Sequence, residues 1–174
     1  MKNLRLFRVL TLLLAVLLWS SYSQAQDAPK EKPSPAATAT GKIGKATVTV
    51  AYSSPAVKGR AIWGSLVPYG QVWRAGANEA TTFTTDQPVQ IEGKTLPAGT
   101  YALFVIPTEK QWTVIFNKTA KQWGAFKYDE KQDALRVIAT PRKTATLAER
   151  LVYEVNPQGL VLRWENQELP IAIK

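Results

Sequence analysis

Apolar and polar residues alternate with a period of two along much of the chain. In residues 46–52, Val48, Val50 and Tyr52 share one face and threonines occupy the other; this alternation is typical of a half-buried strand. Residues 101–106 are apolar on both faces, as expected of a central strand. Further short strands are predicted at 80–85, 89–91, 112–116, 134–139, 150–155, 160–164 and 170–173.

Helical patterns are limited to two short pieces, 129–133 and 146–150, and β-favouring residues follow the second. About nine short strands separated by turn residues predict an all-β fold. The specific expectation is an antiparallel β-sandwich in a single domain.

The first 25 residues have the pattern of an export signal. Lys2, Arg5 and Arg8 precede an apolar stretch, and Ser23-Gln24-Ala25 has small residues at the positions that a signal peptidase reads. The apolar stretch is shorter than a membrane span of roughly 20 residues. We therefore expect a signal peptide at 1–25, no transmembrane helix in the mature protein, and a periplasmic or extracellular location.

Residues 26–41 are rich in Ala, Pro and Thr and contain no large apolar side chain. Such a segment buries too little surface to offset the entropy of ordering it, which predicts a disordered tether. The predicted β-sandwich domain then occupies 42–174, long enough to form one core without a metal or a disulfide.

The chain contains no cysteine and no histidine. A Ser-His-Asp triad, a cysteine nucleophile, a zinc finger and a histidine-ligated metal are therefore excluded within it. Neither a cofactor nor a metal site is predicted. The formal charge is +9, or +6 without the three cations of residues 1–25. Because the cations are scattered, no nucleic-acid partner is expected; the oligomeric state stays open.

Residues 52–79 combine tryptophans, cations and amides with Gly and Pro (YSSPAVKGRAIWGSLVPYGQVWRAGANE). Loops of this composition, held by a rigid scaffold, are common ligand-contacting segments. A later tryptophan beside a glycine belongs to the same class. The candidate binding residues are Trp63, Trp73, Arg74, Asn78, Glu79, Trp123, Lys58 and Arg60.

Several long phrases resemble one bacterial family: the segment just quoted with its extension ATTFT, then GKTLPAGTYALFVIP, WTVIFNK and QWGAFKYDEKQDALRV. In this order they resemble the domain-of-unknown-function family 2911 from about residue 46 to 155. The resemblance implies exported proteins without a settled biochemical activity. Ala75 stands where that family commonly has threonine.

Three functional hypotheses follow. The first is a non-catalytic binding domain for a glycan or another cell-envelope component, with indoles stacking on sugar rings and Arg74 holding an anion. The second is a glycoside hydrolase using carboxylates, with Glu79 as the first candidate. The third is a structural envelope protein, in which the indoles close the sandwich and Arg74 pairs with Glu79.

Overall fold

The computed structural model describes residues 33–174, which form one compact unit. The predicted signal peptide at 1–25 and residues 26–32 of the predicted tether lie outside the described residues. Apart from a 3₁₀ helix at Glu130–Gln132, the regular structure of this region consists of ten strands: β1 (Ala36–Ile43), β2 (Ala46–Ser53), β3 (Thr81–Thr85), β4 (Val89–Ile91), β5 (Lys94–Leu96), β6 (Gly99–Ile106), β7 (Trp112–Asn117), β8 (Asp133–Ala139), β9 (Arg142–Asn156) and β10 (Gly159–Ala172).

Six strands form the main sheet in the order β1-β2-β3-β6-β7-β8, with every neighbouring pair antiparallel. The second layer consists of the long hairpin β9–β10 and the short hairpin β4–β5. These two hairpins meet where Ile91 pairs with Ile173. The predicted all-β, antiparallel fold is therefore confirmed.

The main core lies between the two layers and includes the apolar face of β2, with Val48 and Val50 fully buried. A second, smaller cluster covers the opposite face of the main sheet at β6 and β7, where Phe104 and Ile115 are buried. Loop residues Val72 and Tyr128 pack over this cluster. Because both faces of β6 are covered, its sequence is apolar on both sides.

The predicted tether boundary is wrong for residues 36–41, which form most of β1. This strand pairs with β2 along its whole length, from Ala36 opposite Ser53 to Ile43 opposite Ala46. A Cβ at Gly41 would lie 2.8 Å from the carbonyl oxygen of Val155. The small side chains of β1 therefore allow this strand to lie close to β9. Composition alone indicates only that the segment has little apolar surface.

The strands near the end of the chain are longer than the sequence pattern predicts. The two expected strands at 160–164 and 170–173 are parts of one strand, β10, which passes through Glu165 with register shifts on either side. Glu165 has φ of +55°, consistent with a bulge that bends the strand. Residues 146–150 belong to β9 because pairing with β10 overrides their weak helical preference.

Across residues 33–174 the structure contains no helix that could span a membrane.

Candidate functional site

The loop at 74–78 is held in a conformation that is uncommon for its residues. Ala75 has φ of +53° and Asn78 has φ of +58°, the left-handed region that residues other than Gly and Asn seldom adopt. The Ala75 carbonyl accepts hydrogen bonds from Tyr153 Oη at 2.7 Å and Thr81 Oγ1 at 2.9 Å. Surrounding contacts thus fix the backbone of this loop, as is common beside functional sites.

Gly76 packs closely against its neighbours in this loop, and an added side chain would displace one of them. A Cβ at this position would lie 2.7 Å from Thr81 Oγ1 and 3.2 Å from the carbonyl oxygen of Ser53. The Gly76 carbonyl accepts a hydrogen bond from Trp73 Nε1 at 3.2 Å. The loop therefore depends on glycine at this position and on the indole that precedes it.

Beside this loop lies a cavity of about 280 Å³. We call it the arginine cavity, after the two arginines that line it. Loop residues contribute most of the lining, and β10 contributes one indole. The lining residues are Ser34, Pro55, Arg60, Leu66, Val67, Trp73, Arg74, Gly76, Ala77, Asn78 and Trp164.

The polar lining of the arginine cavity is cationic. Arg60 and Arg74 line it, and none of its lining residues from the described part of the chain is Asp or Glu. Burial lowers the pKa of Arg74, yet a guanidinium stays charged in proteins. The ion pairs formed within residues 33–174 belong to Arg136 and Arg163, and none includes Arg74.

Two buried donors beside the arginine cavity have no hydrogen-bond partner in the described region: Arg74 Nε and Trp164 Nε1. Unpaired buried donors are uncommon because each one loses its hydration without compensation. Both belong to residues that line the cavity. This region therefore has unused capacity to donate hydrogen bonds.

Trp63 and Trp73 lie mainly in the interior. Trp63 is half-buried and its ring contacts Trp73, Trp112 and Trp164 at centroid distances of 5.7, 4.5 and 5.8 Å. Trp73 is 9% exposed and stacks on Trp164. Trp63, Trp73, Trp112 and Trp164 thus form one cluster of indoles. Trp73 also borders the arginine cavity, whereas Trp63 is not among its lining residues.

Arg60 and Lys58 belong to one turn, but only Arg60 reaches the cavity. Arg60 Nε donates to the Val57 carbonyl at 3.0 Å, and Nη2 donates to the Ala56 carbonyl. These bonds hold the guanidinium against its own loop. Lys58 is exposed, and its backbone N–H donates to Glu149 Oε1 at 2.9 Å. Lys58 is therefore separate from the arginine cavity.

Glu79 lines a different cavity, of about 230 Å³, together with Tyr52 and Ser53. The hydrogen bond from Asn78 Nδ2 to Ser53 Oγ, 3.1 Å long, joins the linings of the two cavities. The predicted ion pair between Arg74 and Glu79 is not present among the ion pairs of residues 33–174. The backbone of Glu79 instead pairs with that of Trp123.

Trp123 is exposed on the loop that follows β7, at 58%. It does not line the arginine cavity. Of the eight candidate residues, the structure therefore brings together Arg60, Trp73, Arg74 and Asn78, and it places the other four elsewhere.

Sequence reasoning missed several lining residues. Ser34 lies in the predicted tether, yet its carbonyl accepts from Asn78 Nδ2 at 3.3 Å. The neighbouring Pro35 carbonyl accepts from the Ser54 amide at 2.8 Å. Trp164 lies far along the chain in β10. Only three-dimensional contact with Trp73 assigns Trp164 to the site, so no local signal identifies it.

Residues 33–174 contain no group of three or more acidic side chains arranged to hold a metal ion.

The fold and the cavity define a class: an antiparallel β-sandwich with a small cationic cavity between its loops. A family model described as "Protein of unknown function (DUF2911)" matches residues 34–173, and the chain belongs to that family. The match begins just before β1, which agrees with the corrected domain boundary. No curated protein and no solved structure matches the chain.

Proposed function

We propose that this protein is exported and binds, without catalysis, an anionic glycan or another anionic cell-envelope component in the arginine cavity. The observation that carries the proposal is the pairing of two arginines with two indoles around one cavity. Indole faces stack on sugar rings, and guanidinium groups hold carboxylates or phosphates through two parallel hydrogen bonds.

The size of the cavity limits the part of the ligand that it holds. Ligand pockets are roughly 300–1,000 Å³ in volume, and the arginine cavity, at about 280 Å³, is near the lower limit. We therefore propose that it takes one charged sugar unit or an end group of similar size. A longer glycan would extend outward from there.

The positive charge of the arginine cavity supports the proposal that the ligand carries an anionic group. Arg74 lacks an ion-pair partner among residues 33–174, and burial removes part of its hydration. A ligand carboxylate or phosphate would restore favourable interactions that water no longer supplies. The amide of Asn78 is engaged with Ser34 and Ser53, so we assign it to shaping the site.

The geometry gives less support to a glycoside hydrolase. That chemistry needs two carboxyl groups about 5–10 Å apart across the scissile bond. Glu79 is the one carboxylate in the lining of the neighbouring cavity, and the lining of the arginine cavity, as far as the structure describes the chain, includes no Asp or Glu. A structural role is favoured for Trp63, whose ring contacts three other indoles.

Calorimetric titration of residues 33–174 tests the proposal. The ligands are oligosaccharides carrying uronic acids, oligosaccharides carrying phosphate, and neutral oligosaccharides of equal length. We expect binding of an anionic class, and Arg74→Gln and Arg60→Gln should each weaken it about tenfold, because a hydrogen bond to a charged group contributes about 1.5 kcal/mol or more. Lys58→Gln is the control, since it removes a nearby charge outside the cavity.

Equal weakening in Lys58→Gln would show that net charge, and not the cavity, determines binding. Unchanged affinity in both arginine variants would refute the assignment of the site. Release of reducing sugar that disappears in Glu79→Gln would replace binding with hydrolysis.

A further inference from the structure

The loop at 118–128 displays two aromatic rings to solvent. Phe126 is 85% exposed and Trp123 is 58% exposed. The Phe126 ring lies over Gly124, where an added Cβ would be 3.1 Å from the ring. A phenylalanine this exposed gains little from folding, and two large exposed rings in one short loop mark a candidate interaction site. We call residues 118–128 the aromatic loop.

The protein holds the aromatic loop in place from both ends. The Gly124 amide donates to the Asn78 carbonyl at 3.1 Å, and the Gln122 carbonyl accepts from the Ala80 amide at 2.9 Å. Tyr128 packs its ring edge-on against Phe104, with centroids 5.1 Å apart. The exposed rings are therefore carried on a fixed backbone, which lowers the entropy cost of binding through them.

All the charged side chains of the aromatic loop are positive. Lys118, Lys121 and Lys127 are exposed, and the loop contains no Asp or Glu. The first carboxylates after it are engaged: Asp129 accepts from the Lys131 amide at 3.0 Å, and Glu130 pairs with Arg136 at 3.4 Å. Apolar rings and lysines therefore share one short segment.

We propose that the aromatic loop docks on the surface of an anionic phospholipid bilayer. Tryptophan favours the level of the lipid headgroups because its ring is apolar and its N–H is polar. Phenylalanine enters the acyl boundary, and lysines attract anionic headgroups. A glycan explains Phe126 less well, because its ring has no group that hydrogen-bonds hydroxyls. The docking surface is separate from the arginine cavity.

Vesicle cosedimentation of residues 33–174, which form one compact unit, tests this proposal. One set of vesicles contains equal parts phosphatidylglycerol and phosphatidylcholine, and the other contains phosphatidylcholine alone. We expect binding to the first set that weakens with added salt. Trp123→Ser and Phe126→Ser should each reduce the partition coefficient about tenfold, which is the loss expected when a ring's apolar burial is only partial.

The matched control is Leu147→Ser, which removes a side chain that is also 58% exposed but lies on β9. Thermal unfolding of every variant verifies that the fold is retained. Lys121→Gln/Lys127→Gln should weaken binding to the anionic vesicles, whereas Lys45→Gln/Lys94→Gln should not.

Four results would overturn the proposal. The first is absence of binding to anionic vesicles, and the second is an equal loss in Leu147→Ser. The third is a concentration-dependent dimer that Phe126→Ser abolishes, which would assign the loop to contact with a second copy. The fourth is a glycan whose binding Trp123→Ser removes while vesicle binding persists.

Discussion

The hydroxyl of Tyr153 provides a sharp test of how the loop beside the arginine cavity is held. Tyr153 is 6% exposed, and its hydroxyl donates to the Ala75 carbonyl at 2.7 Å. Thr81 Oγ1 donates to the same carbonyl at 2.9 Å. Tyr153→Phe and Thr81→Val should each lower the free energy of unfolding by about 1 kcal/mol, because each removes one of two bonds to a buried acceptor.

The double variant removes both side-chain donors from the Ala75 carbonyl. Ala75 is fully buried, so its unpaired carbonyl oxygen adds a desolvation cost of about 1–3 kcal/mol. We expect a total loss of about 3–5 kcal/mol, clearly more than the sum of the single variants.

Urea unfolding of residues 33–174 and its three variants provides the measurement. Tyr69→Phe is the control, because Tyr69 is 40% exposed and its change should stay within about 0.5 kcal/mol. Effects that add within about 0.5 kcal/mol would refute the claim that both hydroxyls support one carbonyl.

Three further predictions concern packing and pH. Gly76→Ala should lower the free energy of unfolding in urea by about 1–3 kcal/mol, because its Cβ would lie 2.7 Å from Thr81 Oγ1. In the same assay Trp73→Ala should cost about 3–5 kcal/mol, and Trp123→Ala should stay within about 0.5 kcal/mol, since the first indole is buried and the second is exposed. Burial, with a hydrogen bond to Asp133, raises the pKa of Tyr128 from 10.0 to about 12. The stability that the neutral Tyr128 hydroxyl contributes is therefore complete below pH 10 and is lost as the pH rises toward 12. The midpoint of urea unfolding should fall less steeply across this pH window in Tyr128→Phe than in the unsubstituted protein.

The strands that the sequence predicts well are those whose burial is encoded locally. In β2 every second residue is apolar, and Val48 and Val50 are fully buried. In β6 both faces are apolar because the core covers one and the smaller outer cluster covers the other. Local periodicity is enough in both cases.

β1 shows where that reasoning fails. Its sequence, AATATGKI, contains little apolar surface, so its order comes from pairing with β2 and from the close approach of Gly41 to Val155. Both are long-range contacts. Amino-acid composition does not encode such contacts, and for this reason the sequence predicts a tether at these residues.

The candidate site was predictable only in part. Glycine and polar residues mark Arg74 and Asn78 as loop residues, and both line the arginine cavity. The direction in which Trp63 faces depends on Trp112 and Trp164, which lie far along the chain. Sequence alone therefore identifies aromatic content but does not separate rings that fill the core from rings that face solvent.

The most direct test of the central claim is an NMR titration of ¹⁵N-labelled residues 33–174 with the anionic oligosaccharide that binds most tightly. We predict saturable shifts of the Trp73 indole N–H and of the backbone amides of Ala77 and Asn78, which surround the arginine cavity. Shifts confined to the Trp123 indole, or no saturable shift at any cavity residue, would contradict the account.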